Sequence, residues 1–468
     1  MVFSSLIFLF LFLPLTVLIY YVSPRKLRNA VLLVVSLIFY AWGEPLYIII
    51  MIFSTVFDYF NGLLIDKYRD RKPIARAIFI GSMTGSLGIL GFFKYAGFVV
   101  DNINQLFHLN LQAADLPLPV GISFYTFQTM SYVIDVYQDK VPVQRNFISF
   151  GAYVTMFPQL VAGPIVKYGD IAKQLDSRKV TLDRFGEGAE LFIRGLAKKV
   201  LLANNIGLLW TSVKATPLEQ LTVLSAWLGI IAFTLQIYFD FSGYSDMARG
   251  LGKMFGFDFM ENFRYPYISK SVTEFWRRWH ISLGTWFREY VYIPLGGNRS
   301  GLMKQLRNLL VVWFLTGLWH GASWNFIVWG LYFGFFVMVE KLLLLRWLER
   351  RPACVAHIYT LLVVIIGWVL FEMDHLASAG RFIGVMFGFS GHGLADQQAL
   401  YALSTNAILL VVLAFCATPF PAKILSYVRE KWKIVGMITV PFIYILFMTL
   451  STAYLVNETY NPFLYFRF

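Results

Sequence analysis

Charged residues are scarce in this chain of 468 amino acids, where they make up only 14% of the sequence. Soluble domains carry about 25% charged residues. Hydrophobic residues account for 58% of the chain, and a core of this size would not hide that much apolar surface from water. The 45 Phe, 26 Tyr and 13 Trp include the amphipathic aromatic residues that collect at membrane interfaces. The composition excludes an ordinary soluble protein and predicts an all-α polytopic membrane protein.

Motifs for metal, nucleotide or redox chemistry are also missing. The two cysteines, Cys354 and Cys416, lie in apolar stretches without the spacing of a metal or redox site. The chain has no His-Glu-x-x-His pair, phosphate-binding loop or Gly-x-Ser-x-Gly elbow. We therefore expect no catalytic metal, no use of ATP and no tightly bound cofactor. The net charge of +13 is not gathered in a basic tail, so we assign it to cytoplasmic loops and expect no nucleic-acid partner.

Apolar stretches long enough to cross a membrane recur along the chain. A helix needs about 20 apolar residues to span the hydrocarbon layer, and we predict about ten to twelve spans together with re-entrant or interfacial helices. Pro158 and Gly163-Pro164 interrupt one stretch and suggest a bent or re-entrant segment there. Stretch 308–339 is too long for one crossing. We find no repeat and no soluble domain, so we expect one transmembrane domain over 1–468. The predicted spans are 2–21, 29–42, 45–64, 74–93, 120–136, 147–166, 189–210, 221–241, 308–339, 358–371, 403–415 and 434–454.

Two loops rich in Lys and Arg, at 24–28 and 67–76, orient the predicted spans. Cytoplasmic loops of membrane proteins carry an excess of these residues. Two predicted spans lie between the loops, which is the parity required if both loops face the cytoplasm. The N-terminus is then predicted to lie outside.

Residues 249–307 break the pattern of long apolar stretches. They hold ten Lys or Arg against four Asp or Glu, with many aromatic residues among them. We therefore expect 249–307 to be a basic and aromatic segment in the membrane interface on the cytoplasmic side. On a continuous helix, Trp276 and His280 would share a face. Guanidinium groups match phosphate oxygens in pairs, so Arg277 and Arg278 suit an anionic ligand on the cytoplasmic side. The alternative is an interfacial anchor held by lipid headgroups.

His320 lies deep in an apolar stretch, because no Asp, Glu, Lys or Arg occurs between Arg307 and Glu340. At about 1.5 Å per helical residue, His320 lies roughly 20 Å from Arg307. Ionisable residues at such depth are costly and usually functional, and an imidazole suits removal of a proton from a hydroxyl near neutral pH. Gly317 and Gly321 permit a helix break or close backbone approach beside it. The alternative is a neutral histidine that forms hydrogen bonds between helices.

Stretch 238–246 places two acidic residues, Asp240 and Asp246, at the end of a predicted span, with Ser242 between them. One interpretation is a polar wall that orients His280 or the substrate. The other is hydrogen bonding between helices together with an N-cap for the next helix.

At these residues the sequence resembles the membrane-bound O-acyltransferase family, in the bacterial branch that contains the alginate O-acetyltransferases. The resemblance runs nearly from end to end of the chain. Its strongest parts are TEFWRRWHISL at 273–283 and GLWHGA at 317–322. The other parts are MVFSS at 1–5, FKY at 93–95, PVGISFY at 119–125, FPQLVAGP at 157–164 and YFDFSGYSDMA at 238–248.

The resemblance implies a fold in which tilted helices form a ring around a thin central region. It also implies that His320 is the catalytic histidine and that His280 is a second functional histidine. Acetyl-coenzyme A from the cytoplasm is the implied donor, and acetyltransferases outside the bacterial inner membrane are the implied partners. The candidate substrate-binding residues in or beside these motifs are Trp276, Arg277, Arg278, Asp240, Ser242, Asp246, Trp319 and Asn325.

We therefore expect an O-acetyltransferase that carries acetyl from cytoplasmic acetyl-coenzyme A towards hydroxyls of an extracytoplasmic polysaccharide, alginate above all. His320 would act as general base, and His280 would orient the donor or shuttle a proton. Direct transfer and a transient acyl-enzyme are both open. Alternatives from related branches are peptidoglycan O-acetylation and D-alanyl transfer in teichoic acid synthesis. A transporter of lipid-linked sugars is the alternative from another class, and internal inverted repeats, of which we find none, would favour it.

Overall fold

The computed structural model describes residues 1–112, 116–299, 301–389 and 393–457, and every regular element among them is a helix. This confirms the predicted all-α class. The chain divides into two compact units. Unit 1 comprises Met1–Phe192 and Ser245–Met260, and unit 2 comprises Ile193–Tyr244 and Glu261–Phe468. The single domain over 1–468 stays a prediction.

The α-helices are numbered in chain order. They are α1 (Leu13–Val22), α2 (Arg28–Gly43), α3 (Ile48–Lys67), α4 (Lys72–Phe107), α5 (Ile122–Tyr137), α6 (Phe147–Thr155), α7 (Phe157–Leu160), α8 (Tyr168–Asp176), α9 (Leu182–Ala197), α10 (Asn205–Ala215), α11 (Val223–Met254), α12 (Val272–Arg278), α13 (Ile281–Phe287), α14 (Leu302–His320), α15 (Trp324–Val339), α16 (Leu345–Glu349), α17 (Ala353–Glu372), α18 (Leu376–Met386), α19 (Gln397–Cys416), α20 (Phe420–Lys431) and α21 (Lys433–Asn457). Wider, π-helical turns adjoin them at Phe8–Phe12, Lys198–Asn204, Arg288–Tyr292 and Glu340–Leu344.

Eight helical segments of the described residues are long and apolar enough to cross a membrane, which confirms a polytopic membrane protein. Two shorter apolar segments, Phe8–Val22 and Leu376–Met386, accompany them. The larger predicted count includes α5, α6, α10 and α14, which are shorter or less apolar. The eight segments are Arg25–Gly43, Ile48–Lys67, Lys72–Phe107, Val223–Met254, Trp324–Glu349, Ala353–Glu372, Gln397–Cys416 and Lys433–Asn457.

The predicted bend at Pro158 lies between α6 and α7 in unit 1. Helix α6 ends at Thr155, and Met156 leaves the helical conformation with φ −50° and ψ 110°. Pro158 stands in the first turn of α7, where its missing N–H removes no helical hydrogen bond. Just beyond α7, a side chain at Gly163 would collide with the backbone of Gln159. The chain therefore turns sharply here instead of continuing as one span.

Helices α14 and α15 form a hairpin in unit 2, with the break at Gly321 that the sequence predicts. His320 is the last residue of α14, and Gly321 is extended, with φ −178° and ψ 159°. Ser323 caps α15, because its hydroxyl accepts from the backbone N–H two residues further on at 3.2 Å. A side chain at Gly317 would collide with the carbonyl of Phe326, so the two backbones approach closely. This close packing holds His320 at the turn.

Helix α11 continues past the point where the sequence suggests a helix end. It runs for 32 residues, from Val223 to Met254, so Asp240 and Asp246 lie within one helix. The expectation that they end a span and cap the next helix is therefore wrong. A side chain at Gly243 would collide with the carbonyl of Gly195 on α9, and this close contact favours a continuous helix here over a turn.

Candidate active site

His320 lies in an aromatic pocket of unit 2 and is only 4% exposed. The rings of Trp319, Trp329 and Phe371 surround its imidazole, with centroid distances of 5.0, 4.8 and 5.5 Å. All three rings stand between 77° and 86° to the imidazole, the edge-to-face arrangement that aromatic quadrupoles favour. They come from α14, α15 and α17, so three helices fix the position of the imidazole. Water is largely excluded from such a pocket, and electrostatic interactions inside a dry site are stronger than in water.

His280 lies at the turn between α12 and α13 and is 2% exposed. The prediction that it shares a helix face with Trp276 is wrong. Helix α12 ends at Arg278, Trp279 is extended, and His280 has left-handed backbone with φ of 46°. A non-glycine residue in this conformation costs on the order of 1 kcal/mol. Backbone strain of this kind clusters at functional sites.

Trp319 links the surroundings of the two histidines. Its ring centroid is 5.9 Å from that of His280 and 5.0 Å from that of His320. Phe241 of α11 covers another side of His280, with a centroid distance of 4.8 Å. The structure therefore brings both predicted catalytic histidines into one aromatic site, separated by a single indole ring.

Asn262 contacts His280 from the irregular segment before α12. Its Oδ1 lies 3.2 Å from Nδ1 of His280 and accepts from the backbone N–H and the hydroxyl of Ser282, each at 3.0 Å. Burial lowers the pKa of His280 to about 3, because desolvation penalises the charged imidazole. His280 is therefore neutral at physiological pH. No local motif in the sequence marks Asn262.

Trp276 of α12 belongs to the wall of the same site. Its ring lies 5.0 Å from Trp313, 5.5 Å from Trp329 and 4.9 Å from Phe333, all edge-to-face. Since Trp329 also contacts His320, Trp276 is one ring removed from the catalytic candidate. Its role as a substrate-binding residue stays a prediction.

Asp240 forms a buried ion pair in unit 2. Its Oδ1 lies 2.7 Å from Nζ of Lys199, and both side chains are 3% exposed. Lys199 lies in the π-helical stretch after α9, and such turns are frequent at functional sites. Ser242 is buried, and its hydroxyl has no hydrogen-bond partner among the described residues. Asp246, further along α11, lies 3.5 Å from Arg249. No motif marks Lys199 as the partner of Asp240.

The two arginines of α12 differ in their contacts. Arg278 donates to Glu274 at 2.9 Å and to the backbone carbonyl of Arg264 at 3.0 Å. Arg277 is exposed and forms no ion pair with any residue that the structure describes. Arg278 therefore stabilises the local fold, and Arg277 is the better candidate for contact with an anionic ligand.

Asn325 and Glu340 tie the two ends of α15 to other elements. The Asn325 amide donates to the backbone carbonyl of Met373 after α17. Glu340 accepts from the backbone N–H groups of Val272 and Thr273 at 2.6 and 2.8 Å, and from the Thr273 hydroxyl at 2.6 Å. The role of Asn325 as a substrate-binding residue stays a prediction. Glu340 was not predicted as a site residue.

The arrangement suits proton transfer to and from an oxygen or sulfur atom. It supplies two imidazoles, one of them neutral by burial, in surroundings that exclude water. Among the residues that the structure describes, no three His, Cys, Asp or Glu side chains come together as a possible metal site. The expectation of no catalytic metal stays a prediction.

Comparison with known proteins assigns this region to a family. Residues 138–372, which include both histidines and all the candidate substrate-binding residues, match the model of the membrane-bound O-acyltransferase family. The chain is 43% identical to the probable alginate O-acetylase AlgI of Pseudomonas putida over the whole of both chains. It is 44% identical to the probable alginate O-acetylase AlgI of Pseudomonas aeruginosa, over 89% of this chain and 81% of the relative. It is 31% identical to the peptidoglycan O-acetyltransferase of Helicobacter pylori over 89% of each chain.

Proposed function

Since the chain belongs to the membrane-bound O-acyltransferase family, it is a multi-pass membrane acyltransferase, and we propose that it acetylates hydroxyls of an extracytoplasmic polysaccharide. The proposed donor is cytoplasmic acetyl-coenzyme A, and the proposed acceptor is alginate, reached through partner acetyltransferases. The names of the relatives, which are 43–44% identical, support acetyl transfer and alginate. The proposed location is the bacterial inner membrane, with the N-terminus outside.

The observation that carries this proposal is the pair of buried histidines around Trp319. An acyl transfer to a hydroxyl needs a group that removes the hydroxyl proton as the new bond forms. His320 is enclosed by aromatic rings on three sides, and His280 lies one ring away. A dry aromatic site of this kind favours transfer to a bound hydroxyl over hydrolysis of the thioester.

In the proposed step, His320 is the general base. The acceptor oxygen attacks the thioester carbonyl carbon while Nε2 or Nδ1 of His320 takes the hydroxyl proton. The carbon–sulfur bond then breaks, and the proton passes from His320 to the leaving thiolate. The products are an O-acetyl ester and free coenzyme A, so atoms and charge balance. His280 orients the reacting groups or relays the proton.

Arg277 is the proposed contact for the phosphates of the donor. It is exposed and forms no ion pair with the described residues, whereas Arg278 donates to Glu274. A guanidinium group binds phosphate oxygens in pairs. Arg277→Gln is therefore expected to raise the KM for acetyl-coenzyme A more than it lowers kcat.

Peptidoglycan is the second candidate acceptor. The peptidoglycan O-acetyltransferase of Helicobacter pylori is 31% identical over 89% of this chain, which supports the same acetyl chemistry on a different glycan. Alginate is the first choice because the alginate relatives are more similar and one covers the full chain.

The test is an acetyl-transfer assay with the full-length protein in proteoliposomes. Radiolabelled acetyl-coenzyme A is the donor, and alginate oligomers, peptidoglycan fragments and buffer alone are the acceptor arms. The assay would measure release of free thiol and radiolabel on the glycan. Cell envelope extract, added in one arm, would supply the proposed partner acetyltransferases. Label on alginate is expected, and His320→Ala is expected to lower the rate by about 100-fold or more, because general-base catalysis contributes that much.

The matched control is His375→Ala, which removes an exposed histidine at the start of α18. Its rate is expected to equal that of the unsubstituted protein. Full transfer by a folded, membrane-inserted His320→Ala protein would contradict the assignment of His320. Transfer from a D-alanyl carrier protein, with none from acetyl-coenzyme A, would contradict the proposed donor.

A further inference from the structure

The amide oxygen of Asn262 accepts from the backbone N–H and the hydroxyl of Ser282 and also contacts His280. It lies 3.0 Å from the backbone nitrogen of Ser282 and 3.2 Å from Nδ1 of His280. A backbone N–H can only donate, so the amide atom that it meets is the oxygen and not the nitrogen. An amide oxygen can only accept, so a hydrogen bond at this contact requires the proton to be on Nδ1 of His280. The Ser282 hydroxyl lies 3.5 Å from the same Nδ1, but it donates to the Asn262 oxygen at the shorter distance of 3.0 Å.

We propose that Asn262 is a positioning residue that holds His280 in the Nδ1-protonated tautomer, so that Nε2 keeps its lone pair for acyl transfer. This inference rests on the proposed function, in which both histidines serve the reaction. With its lone pair at Nε2, His280 accepts a hydrogen bond or a proton from a substrate hydroxyl and does not donate from that atom. The tautomer therefore decides which way a proton moves at this histidine.

Backbone hydrogen bonds on both sides of His280 keep it in reach of Asn262. The N–H of Ile281 donates to the carbonyl of Asn262 at 3.0 Å, and the N–H of Arg264 donates to the carbonyl of Arg278 at 2.9 Å. These bonds hold the segment before α12 beside the turn after it. They also compensate for the left-handed conformation of His280, with φ of 46°, which an unsupported residue would rarely adopt.

The carboxylates of Asp240, Glu261 and Glu274, on the elements around His280, are paired with cations, and Arg277 of α12 is exposed. On α14 the titratable neighbour is His320, which lies beyond the ring of Trp319. A neutral amide thus orients the imidazole without a carboxylate that would favour the imidazolium. The ion pairs on the surrounding elements are Asp240–Lys199 at 2.7 Å, Glu261–Arg264 at 2.6 Å and Glu274–Arg278 at 2.8 Å.

Asn262→Asp tests the inference with almost no change in shape. The Nδ2 atom that it replaces has no hydrogen-bond partner among the described residues, so no bond is lost. A carboxylate beside Nδ1 stabilises the imidazolium and raises the pKa of His280 from its low value. Protonation then removes the Nε2 lone pair at a higher pH. The acidic limb of the kcat/KM profile is expected to move up by about one pH unit or more.

Asn262→Leu removes the acceptor while keeping a similar volume. The imidazole is then free to exchange tautomers, and kcat is expected to fall by about 10- to 100-fold with a smaller change in KM. Nitrogen-15 NMR of histidine-labelled protein in lipid reads the tautomer directly, and His280→Gln identifies the signal. The unsubstituted protein is expected to show His280 protonated at Nδ1, and Asn262→Leu a mixture.

Asn308→Asp is the control for placing a carboxylate in the interior of unit 2, and it also removes two hydrogen bonds that the amide donates. Asn308 is fully buried, and its amide donates to the carbonyls of Leu295 and Gly297 and not to a histidine. Its pH profile is expected to match that of the unsubstituted protein. An equal shift in Asn308→Asp would overturn the inference.

The failure of this inference is distinguishable from failure of the proposed function. Full activity of His280→Ala would remove His280 from the reaction altogether. If His280→Ala is inactive but the unsubstituted protein shows His280 protonated at Nε2, only the role of Asn262 is overturned. An unchanged pH profile in Asn262→Asp, with the NMR signal still assigned to a neutral His280, has the same consequence.

Discussion

Asp240 and Lys199 form an ion pair in apolar surroundings. Each side chain is 3% exposed, and the two charges are 2.7 Å apart. Removing a charge from water costs several kcal/mol, and the mutual attraction offsets that cost only while both partners are present. The pair joins α11 to the π-helical stretch after α9. Since α11 also presents Phe241 to His280, we assign the pair a structural role close to the site.

Asp240→Asn is expected to destabilise the protein by about 3–5 kcal/mol, because it leaves the Lys199 charge buried without its carboxylate. The double variant Asp240→Leu with Lys199→Met is expected to recover most of this loss, since no charge remains. Tryptophan fluorescence during heating in detergent gives the apparent Tm of each protein.

The control for the buried pair is an exposed one. Asp258→Asn breaks the pair with Arg184, which lies at 2.8 Å with side chains 30% and 55% exposed. Exposed pairs contribute under about 1 kcal/mol, so its Tm is expected to change little. Equal Tm values for Asp240→Asn and Asp258→Asn would show that burial adds nothing to the pair.

Helix α12 depends on its neighbours for stability. It has seven residues, and isolated helices of this length are not stable in water. Glu340, 1% exposed in the turns after α15, accepts hydrogen bonds from two backbone N–H groups and one hydroxyl at the start of α12. At the other end of α12 the chain turns at His280. Glu340 therefore connects the hairpin that carries His320 to the helix that positions His280.

Glu340→Gln is expected to lower kcat by about 10- to 100-fold in a folded protein, because small misplacement of a catalytic group has effects of this size. The amide of glutamine has an NH2 group in place of one carboxylate oxygen, and this group faces N–H or O–H donors. At least one of the three hydrogen bonds is therefore lost. The KM for the donor is expected to change less than kcat, and Glu340→Asp is expected to restore part of the rate.

Glu349→Gln serves as the control for this prediction. Glu349 is exposed at the end of α16, and its replacement is expected to leave kcat unchanged. A Glu340→Gln protein with normal kcat and a lowered Tm would show that the carboxylate only stabilises the fold.

Sequence patterns predict the start of α12 better than its end. Ser271 and Glu274 have the Ser-x-x-Glu spacing of a helix N-terminus, and the Ser271 hydroxyl accepts from the N–H of Glu274 at 3.0 Å. The left-handed turn at His280 depends on Asn262, which is 18 residues away in sequence. No periodicity reports such a contact, so the predicted shared face with Trp276 is wrong.

Helix breaks are also easier to predict from the sequence than pairs of residues that are distant in the chain. The break after His320 was predictable, because Gly321 interrupts a charge-free stretch too long for one crossing. The continuous run of α11 through Asp240 was not, because the partner of that carboxylate, Lys199, lies on another element. Local signals therefore predicted the helix break beside His320, whereas Asn262 and Lys199, which act through tertiary contacts, were missed.

Across the whole molecule, the apolar helices differ in how much protein covers them. In the most apolar stretch of α11, 72% of residues are buried within the protein, against 11% in α19. Side chains such as Ile408 and Val411 on α19 are 82% and 70% exposed, which suits contact with lipid. The helices between the two basic loops, α2 and α3, have both been found where the sequence predicts them. The direction in which these helices cross the membrane is predicted from the basic loops before α2 and after α3.

Cysteine labelling of the full-length protein in spheroplasts tests that direction. Cys354→Ser with Cys416→Ser provides a background without cysteine, to which Leu46→Cys or Asp70→Cys is added. Both added positions are exposed, Leu46 between α2 and α3 and Asp70 between α3 and α4. Because Lys and Arg are concentrated beside Asp70, that loop is expected to be cytoplasmic. A membrane-impermeant maleimide is therefore expected to label Leu46→Cys in intact spheroplasts and Asp70→Cys only after permeabilisation. The reverse pattern would place the N-terminus inside, and it would also require the acetyl donor to reach the histidines from the other face of the membrane.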